Sequence, residues 1–502
     1  MKRWLGLALL VLNASAWASA PPQPALVAAA ESGNTAAALT LIHDGANVDA
    51  TASDGTTALE WAVHRDDAPL IDALLRAHAD VKAANSYGTT AMAEAAIRGD
   101  VAVIEKLLKA GADVESANPD GQTALMIVAR AGNVQAAQLL LRHGASVNAV
   151  ETWHGQTALM WAAAQSWPEM VKLLLKHGAN PDARSAVHHD VRQITAEPRI
   201  QARPLGGLTS LLYAARQGCL GCVEALVEGR ATIDLPDPQG VRPLLMAIEN
   251  LHFDVAKYLL EKGANPNLWD WWGRTPLYGA VDMNTLPFGG WPDHRSLDKT
   301  TSLDLVRILL DRGANPNAQL KLFPPYRSLG HDRGGDRMLT IGATPLLRAA
   351  KAADVDVIRL LLAHHALVDL PNRFGMTPLM AASGVGSAAA DTRGKFKTEK
   401  DAVEAIDLLA SAGANVNAKD DEGDSALHGA ALWGSNEVVK CLMRHNADPY
   451  AKDKRGDTPV DSALGRHGGS GAGGNGGEVH KDTAALLQQL MANSGSSTGR
   501  PL

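Results

Sequence analysis

Short apolar segments alternate with glycine-, asparagine- and aspartate-rich turns along almost the whole chain, and the alternation repeats every 33 residues over long stretches. The first segment of each period is alanine-rich. About ten residues after it, a second segment carries paired leucines, as at Leu107 and Leu108, Leu140 and Leu141, Leu174 and Leu175, and Leu259 and Leu260. This second segment closes on Gly-Ala at Gly111, Gly144, Gly178, Gly263, Gly313 and Gly413, where glycine suits a left-handed helix cap. Two short helices per period are therefore predicted, too small to bury their apolar faces alone and obliged to pack on adjacent pairs.

The start of each period is marked by Gly-x-Thr-(Ala/Pro)-(Leu/Met). It reads GTTAL from Gly55, GTTAM from Gly88, GQTAL from Gly121 and Gly155, GRTPL from Gly273, GATPL from Gly342 and GMTPL from Gly375. Degenerate copies begin at Gly207, Gly240, Gly423 and Gly456. Glycine permits the turn, threonine caps the helix through its hydroxyl, and Ala or Pro suits a first helical position whose N–H has no partner. The Asn/Asp-rich run after each Gly-Ala is turn chemistry that predicts a hairpin-like finger before the next glycine.

These motifs resemble the ankyrin repeat. Eleven glycine anchors, plus an N-terminal unit (residues 26 to 34, closing with Gly45 to Ala50), cover nearly the whole chain. The resemblance implies an all-α fold: an ankyrin-repeat solenoid of about 11–12 helix-turn-helix units with finger turns and several loop insertions. It also implies a concave groove of fingers and first helices that binds another protein. The family's His in Thr-Pro-Leu-His stands only at His428; Glu60, Met126, Met160, Leu212, Leu245 and Met380 replace it elsewhere, which puts part of the family's inter-repeat hydrogen bonding in question.

Breaks in the period define the organisation. Repeats are expected over 21–183, 207–318 and 342–491, separated by finger insertions at 184–206 and 319–341. Insertions at 282–302 and 384–400 fall between first and second helices, and a Gly-rich linker occupies 465–478 before a last helix at 484–491; residues 492–502 are expected as a disordered tail. Residues 1–20 read as a signal peptide: Lys2 and Arg3, an apolar core from Trp4 to Leu12, then Ala14, Ala16, Ala18 and Ala20. Cleavage after Ala18 or after Ala20 fits, and the mature protein is expected to be exported, periplasmic or alternatively secreted, in a bacterium. No later apolar stretch reaches the roughly 20 residues of a membrane span.

Aromatic residues are only 4% of the chain, yet Trp269, Trp271 and Trp272 fall within four positions of one finger. In the ankyrin pattern Asp270 is the finger's usual aspartate and the tryptophans occupy flanking positions that in the family commonly touch a target. Trp272, directly before Gly273, has a packing role available to it, as have Tyr87 and Phe374; Trp269 and Trp271 are left between partner contact and burial under an insertion. Trp153, two residues before Gly155, joins this candidate partner-binding set. At the ends of first helices, a second variable position in the family, stand His64, Arg65, Arg98, Arg130, Arg216, Lys351 and Trp433, either a partner-reading surface or solvated helix ends favoured by the dipole. Trp61, Trp161 and Tyr213 are expected in the core.

Charge narrows the partner. With 47 basic against 54 acidic side chains and no block of one sign, nucleic acid is not indicated, and the partner is expected to be a protein met by a monomer. Cys219 and Cys222 form Cys-x-x-Cys at the start of a second helix: a local disulfide, a reduced pair or a thiol-redox centre, with no second ligand pair for zinc and no His for haem. Cys441 is alone and expected buried. His188, His189 and Asp190 with His331, Asp332 and Asp336 make only a weak metal cluster. No nucleophile elbow, phosphate loop or acid-base pair appears, so no catalytic residue, cofactor or metal is assigned. The leading expectation is a non-catalytic protein-binding scaffold; the alternatives are a redox protein using Cys219 and Cys222, and a carrier of a small ligand or metal held by the insertions.

Overall fold

The structure, a computed structural model, describes residues 23–192, 202–285, 296–322, 337–385, 398–466 and 479–496. The expected signal peptide, most of the Gly-rich linker, and His331, Asp332 and Asp336 of the weak metal cluster lie outside the described residues. The described residues hold twenty-four helices, taken in twelve consecutive pairs. Typical pairs are Ala58–His64 with Ala68–Arg76 and Ala91–Arg98 with Val101–Lys109. Every two helices in substantial contact belong to one pair or to neighbouring pairs, so the core is a row of local interfaces. None of the helices is long and apolar enough to cross a membrane.

The chain divides into two compact units, Met1–Ser146 and Val147–Leu502, and the repeat grammar is the same in each. Thr57, Thr90, Thr123 and Thr157 each accept the backbone N–H three residues on, capping a first helix. Asn34, Asp67, Asp100 and Asn133 cap second helices in the same way. Helix faces then bury Leu, Ile, Val and Ala: Leu70, Ile71 and Leu74 of one second helix, Ile104 and Leu107 of the next, are all essentially inaccessible. Not every helix end uses glycine. His78, Arg230, His365 and Asn446 hold φ between 61° and 65° where other repeats have Gly-Ala, and accept a strained left-handed backbone in its place.

Two features differ from an all-helical reading. The insertion after the fifth repeat folds as an antiparallel ribbon, Val187–Arg192 against Ala202–Gly206, with an irregularity between His188 and Val191. It grows from the finger, since Ala186 N–H donates to the His154 carbonyl and Gly207 N–H to that of Ala186. The last helix runs Lys481–Ser496, starting before the expected 484–491 and continuing through residues 492–496, which were expected in the disordered tail.

Candidate functional site

The fingers repay inspection atom by atom. Three residues before most anchor glycines stands Asn or Asp, and its Oδ1 accepts two backbone N–H groups, from the residues on either side of the anchor. Asn85 takes those of Tyr87 and Thr89, Asp237 those of Gln239 and Val241, and Asp270 those of Trp272 and Arg274. Asn372, Asp420 and Asp453 do likewise. One finger is a residue longer, the one before Gly155, and there a longer side chain does the work: Glu151 accepts from Trp153, His154 and Gln156 at 2.8–3.0 Å. Burial works against its charge, but these backbone donors hold its carboxyl below the usual range.

Neighbouring fingers are stitched together by backbone. The residue two before an anchor donates its N–H to the carbonyl just before the preceding anchor: Ser86 to Asp54, Trp271 to Gln239, Arg373 to Ile341, Asp421 to Phe374 and Lys454 to Glu422, at 2.7–2.9 Å. A second ladder runs at the finger base, where the second Asn/Asp of each turn accepts the N–H of the next repeat. Asp49 receives Asp80, Asn148 receives Asn180, Asn267 receives Asn315 and Asn417 receives Asp448.

This frame sorts the tryptophans. Trp269 and Trp271 are 51% and 46% exposed; Lys321 Nζ sits 3.7 Å from the Trp269 ring centre, a cation–π contact. Trp272 is removed from the partner-binding set: it is 2% exposed and the Arg274 guanidinium lies over its ring, because the turn closed by Gly273 N–H on the Asp270 carbonyl leaves Trp271 outside and Trp272 inside. Its carbonyl accepts Lys321 N–H, so its backbone is a rung as well. Trp153 is exposed and stacked on His154, which in turn meets His188 of the ribbon edge-on.

Beneath the Trp269–Trp271 finger lies a buried ionic base. Arg274 pairs with Asp270 at 2.7 Å and with Glu249. Burial opposes the Arg274 charge, but the carboxylates of Glu249 and Asp270 outweigh it and keep the guanidinium protonated. Nearby, buried Arg348 pairs with Asp282 at 2.6 Å. In the preceding finger, burial first, then the charges of Asp270 and Glu249, push Asp237 up to about 6 despite two backbone donors.

The residues at first-helix ends are partly occupied by the fold. Arg98 donates to the His64 carbonyl at 2.7 Å and lies 3.6 Å from Asp66, bracing one repeat on the last. Arg216 lies over the Tyr213 ring and is half-buried, and Lys351 is buried. Half-buried Trp433 presses on Gly384, where an added Cβ would meet it at 3.2 Å. Arg65 and Arg130 are exposed. Tyr213 is buried and accepts from Gln156, whereas Trp61 and Trp161 are half-buried.

Cys219 and Cys222 are joined by a disulfide, and Cys219 Sγ caps its helix by accepting Cys222 N–H. Cys441 is buried but not isolated. Its thiol donates to Asp407 Oδ1 at 3.2 Å, and His445 Nε2 meets the same oxygen at 2.7 Å. Burial and the Asp407 charge push this thiol up to about 12. Burial disfavours the Asp407 charge, yet the His445 and Cys441 hydrogen bonds hold its carboxyl below the ordinary value. The sequence reading missed this grouping; its signal is that Asp407 precedes Cys441 and His445 by 34 and 38 residues, about one repeat.

Paired short helices, threonine caps and stacked fingers define a helical-repeat solenoid protein. The description "Ankyrin repeats (3 copies)" matches residues 25–118, 93–185, 188–270, 211–320 and 397–469, and "Ankyrin repeat" matches 341–373. The chain belongs to the ankyrin-repeat family. It is similar to the transient receptor potential cation channel subfamily A member 1 of Homo sapiens, 27% identical over 309 residues, which are 49% of this chain and 28% of that protein. It is similar also to the E3 ubiquitin-protein ligase KEG of Arabidopsis thaliana (26% over 291 residues, 53% of this chain and 16% of the ligase). A third relative is the B-cell lymphoma 3 protein homolog of Mus musculus, 27% identical over 265 residues, 52% of this chain and 49% of that one. The chain thus spans less than half the length of each of these relatives.

Proposed function

We propose that the chain is an exported, non-catalytic ankyrin scaffold that binds another protein through its finger turns, with Trp269 and Trp271 as the central anchors and Trp153 as a second contact. The supporting observation is the pairing of two half-exposed indoles with a finger whose backbone is already fixed by Asp270, Gln239 and the buried Arg274. Large rigid aromatic side chains on a preorganised base lose little entropy on binding, which is why such residues dominate interfaces. Arg65 and Arg130 offer exposed charge at the first-helix ends for the rim of the same contact. Export rests on the first twenty residues of the sequence, with the periplasm as the destination.

The test is cross-linking in the exported fraction followed by affinity capture, comparing the wild type with a Trp269→Ala/Trp271→Ala double variant. The double variant is expected to fold normally, with an unchanged circular dichroism melt, and to lose a partner that the wild type retains. A double variant that keeps every partner refutes the assignment of the site.

A further inference from the structure

Two adjacent second helices, Glu399–Ser411 and Asn436–Arg444, bring three different ligand chemistries to one point. Cys441 and His445, four residues apart, share a helix face, and Asp407 meets them from the neighbouring helix. One donor atom from each lies within 4.8 Å of the others. A tetrahedral zinc ion, with Zn–S near 2.3 Å and Zn–N or Zn–O near 2.0 Å, holds its ligand atoms roughly 3.3–3.6 Å apart. The 3.2 Å between Asp407 Oδ1 and Cys441 Sγ and the 2.7 Å to His445 Nε2 need open by only tenths of an ångström. We propose that Asp407, Cys441 and His445 bind a zinc-class divalent cation, with the fourth position left to water.

The surroundings fit that use. Cys441 is fully buried, while the His445 and Asp407 side chains are 28% and 45% exposed, so the site is closed behind the sulfur and open to solvent on the carboxylate side. Thiolate and imidazole select zinc over the hard cations that all-oxygen sites hold. Coordination displaces the thiol proton, which leaves to solvent, and takes His445 as the neutral imidazole with its proton on Nδ1; two hydrogen bonds to Asp407 give way to three bonds to metal. The competing cation is Arg444, whose Nη2 is 3.9 Å from Asp407 Oδ2 on an exposed side chain and engages the oxygen that the metal does not need. Bound metal would tie the two second helices together, a contact otherwise made only by side-chain packing and this polar bridge.

The chain provides its own spectroscopic control. It has three cysteines, of which Cys219 and Cys222 are disulfide-bonded, so without reductant Cys441 is the sole thiol. Full-length protein, stripped with a chelator, is titrated with cobalt(II) and then zinc(II). The expected result is a near-ultraviolet thiolate-to-cobalt band that saturates at one cobalt per chain and is bleached by zinc. Cys441→Ser abolishes the band, and His445→Ala or Asp407→Asn weakens cobalt binding roughly tenfold or more. Folded wild-type protein that gives no thiolate band overturns the proposal, and so do His445→Ala and Asp407→Asn proteins that titrate like the wild type. The cluster would then be a polar bridge between helices and nothing more.

Discussion

Asp237 is the residue whose chemistry conflicts most directly with its surroundings, and replacing it isolates that conflict. Its Oδ1 serves the N–H groups of Gln239 and Val241, a task that Asn85, Asn118 and Asn372 perform in other fingers without a charge. Asp237→Asn should therefore keep the acceptor and remove the burden of a buried charge facing Asp270 and Glu249. Burial leads the causes that raise its pKa from the ordinary 3.8 to about 6. In the window between those values the folded chain holds a proton that the unfolded chain has released. Stability from this group is thus full below about pH 4, falls as pH rises through the window, and is at its lowest above about pH 6. At roughly 1.4 kcal/mol per tenfold change in proton affinity, the deficit at neutral pH approaches about 3 kcal/mol. Urea denaturation followed by far-ultraviolet circular dichroism, at pH 7.5 and at pH 4, should find the variant more stable than the wild type by up to that amount at the higher pH and equal to it at the lower. A variant that is less stable at pH 7.5, or that differs from the wild type equally at both, refutes the reasoning.

Three other substitutions probe the frame. Gly88→Ala forces φ +68° on alanine and places its Cβ 2.4 Å from Pro119 Cδ, whereas Gly111→Ala has φ +93° with nothing within 4 Å. The first should cost well beyond the ~1–2 kcal/mol of a left-handed alanine, and the second about that amount, measured by thermal melts of the two variants. Arg274→Met leaves Asp270 and Glu249 without their cation and should cost about 3–5 kcal/mol at neutral pH, with a smaller loss in acid where the carboxyls can protonate. Glu151→Asp withdraws the carboxylate from three N–H groups; amide hydrogen exchange at Trp153, His154 and Gln156 should accelerate, with a loss of about 1–3 kcal/mol.

What was legible in the sequence was whatever the repeat makes local. Glycine anchors, threonine caps and leucine pairs report on bonds that close within a few residues, and the ankyrin family follows from them. The Val187–Arg192 ribbon was hidden because its strands lack clean alternation of apolar and polar residues and no two-residue turn joins them. The Glu151 loop was hidden for another reason: an extra finger residue and a longer acid compensate each other in space, not in spacing. Trp272 separates from Trp269 and Trp271 only once the turn from Asp270 to Gly273 shows which side each ring takes. Asp407, Cys441 and His445 sit a repeat apart, so only the stacking of second helices brings them together.

The finger ladder also bears on why tryptophan stands where it does. At the position two before an anchor, Ser86, Trp271, Arg373, Asp421 and Lys454 contribute a backbone N–H to the preceding finger. That position is buried at Thr340 and half-buried at Pro238, but it is exposed in other fingers, where it holds Ser86, Pro119, Trp153, Trp271, Arg373, Asp421 and Lys454. A place that serine, two basic residues and an aspartate fill with the same backbone role imposes no demand for an indole. The ladder itself therefore does not require the Trp271 ring, while an exposed apolar ring costs solubility. Trp269 and Trp153 each have a neighbour of their own, since Lys321 shields one face of the first and His154 stacks on the second. The exposed apolar surface of these fingers is the feature on which the proposed partner contact rests, and the Trp269→Ala/Trp271→Ala capture experiment removes that surface while leaving the backbone ladder in place.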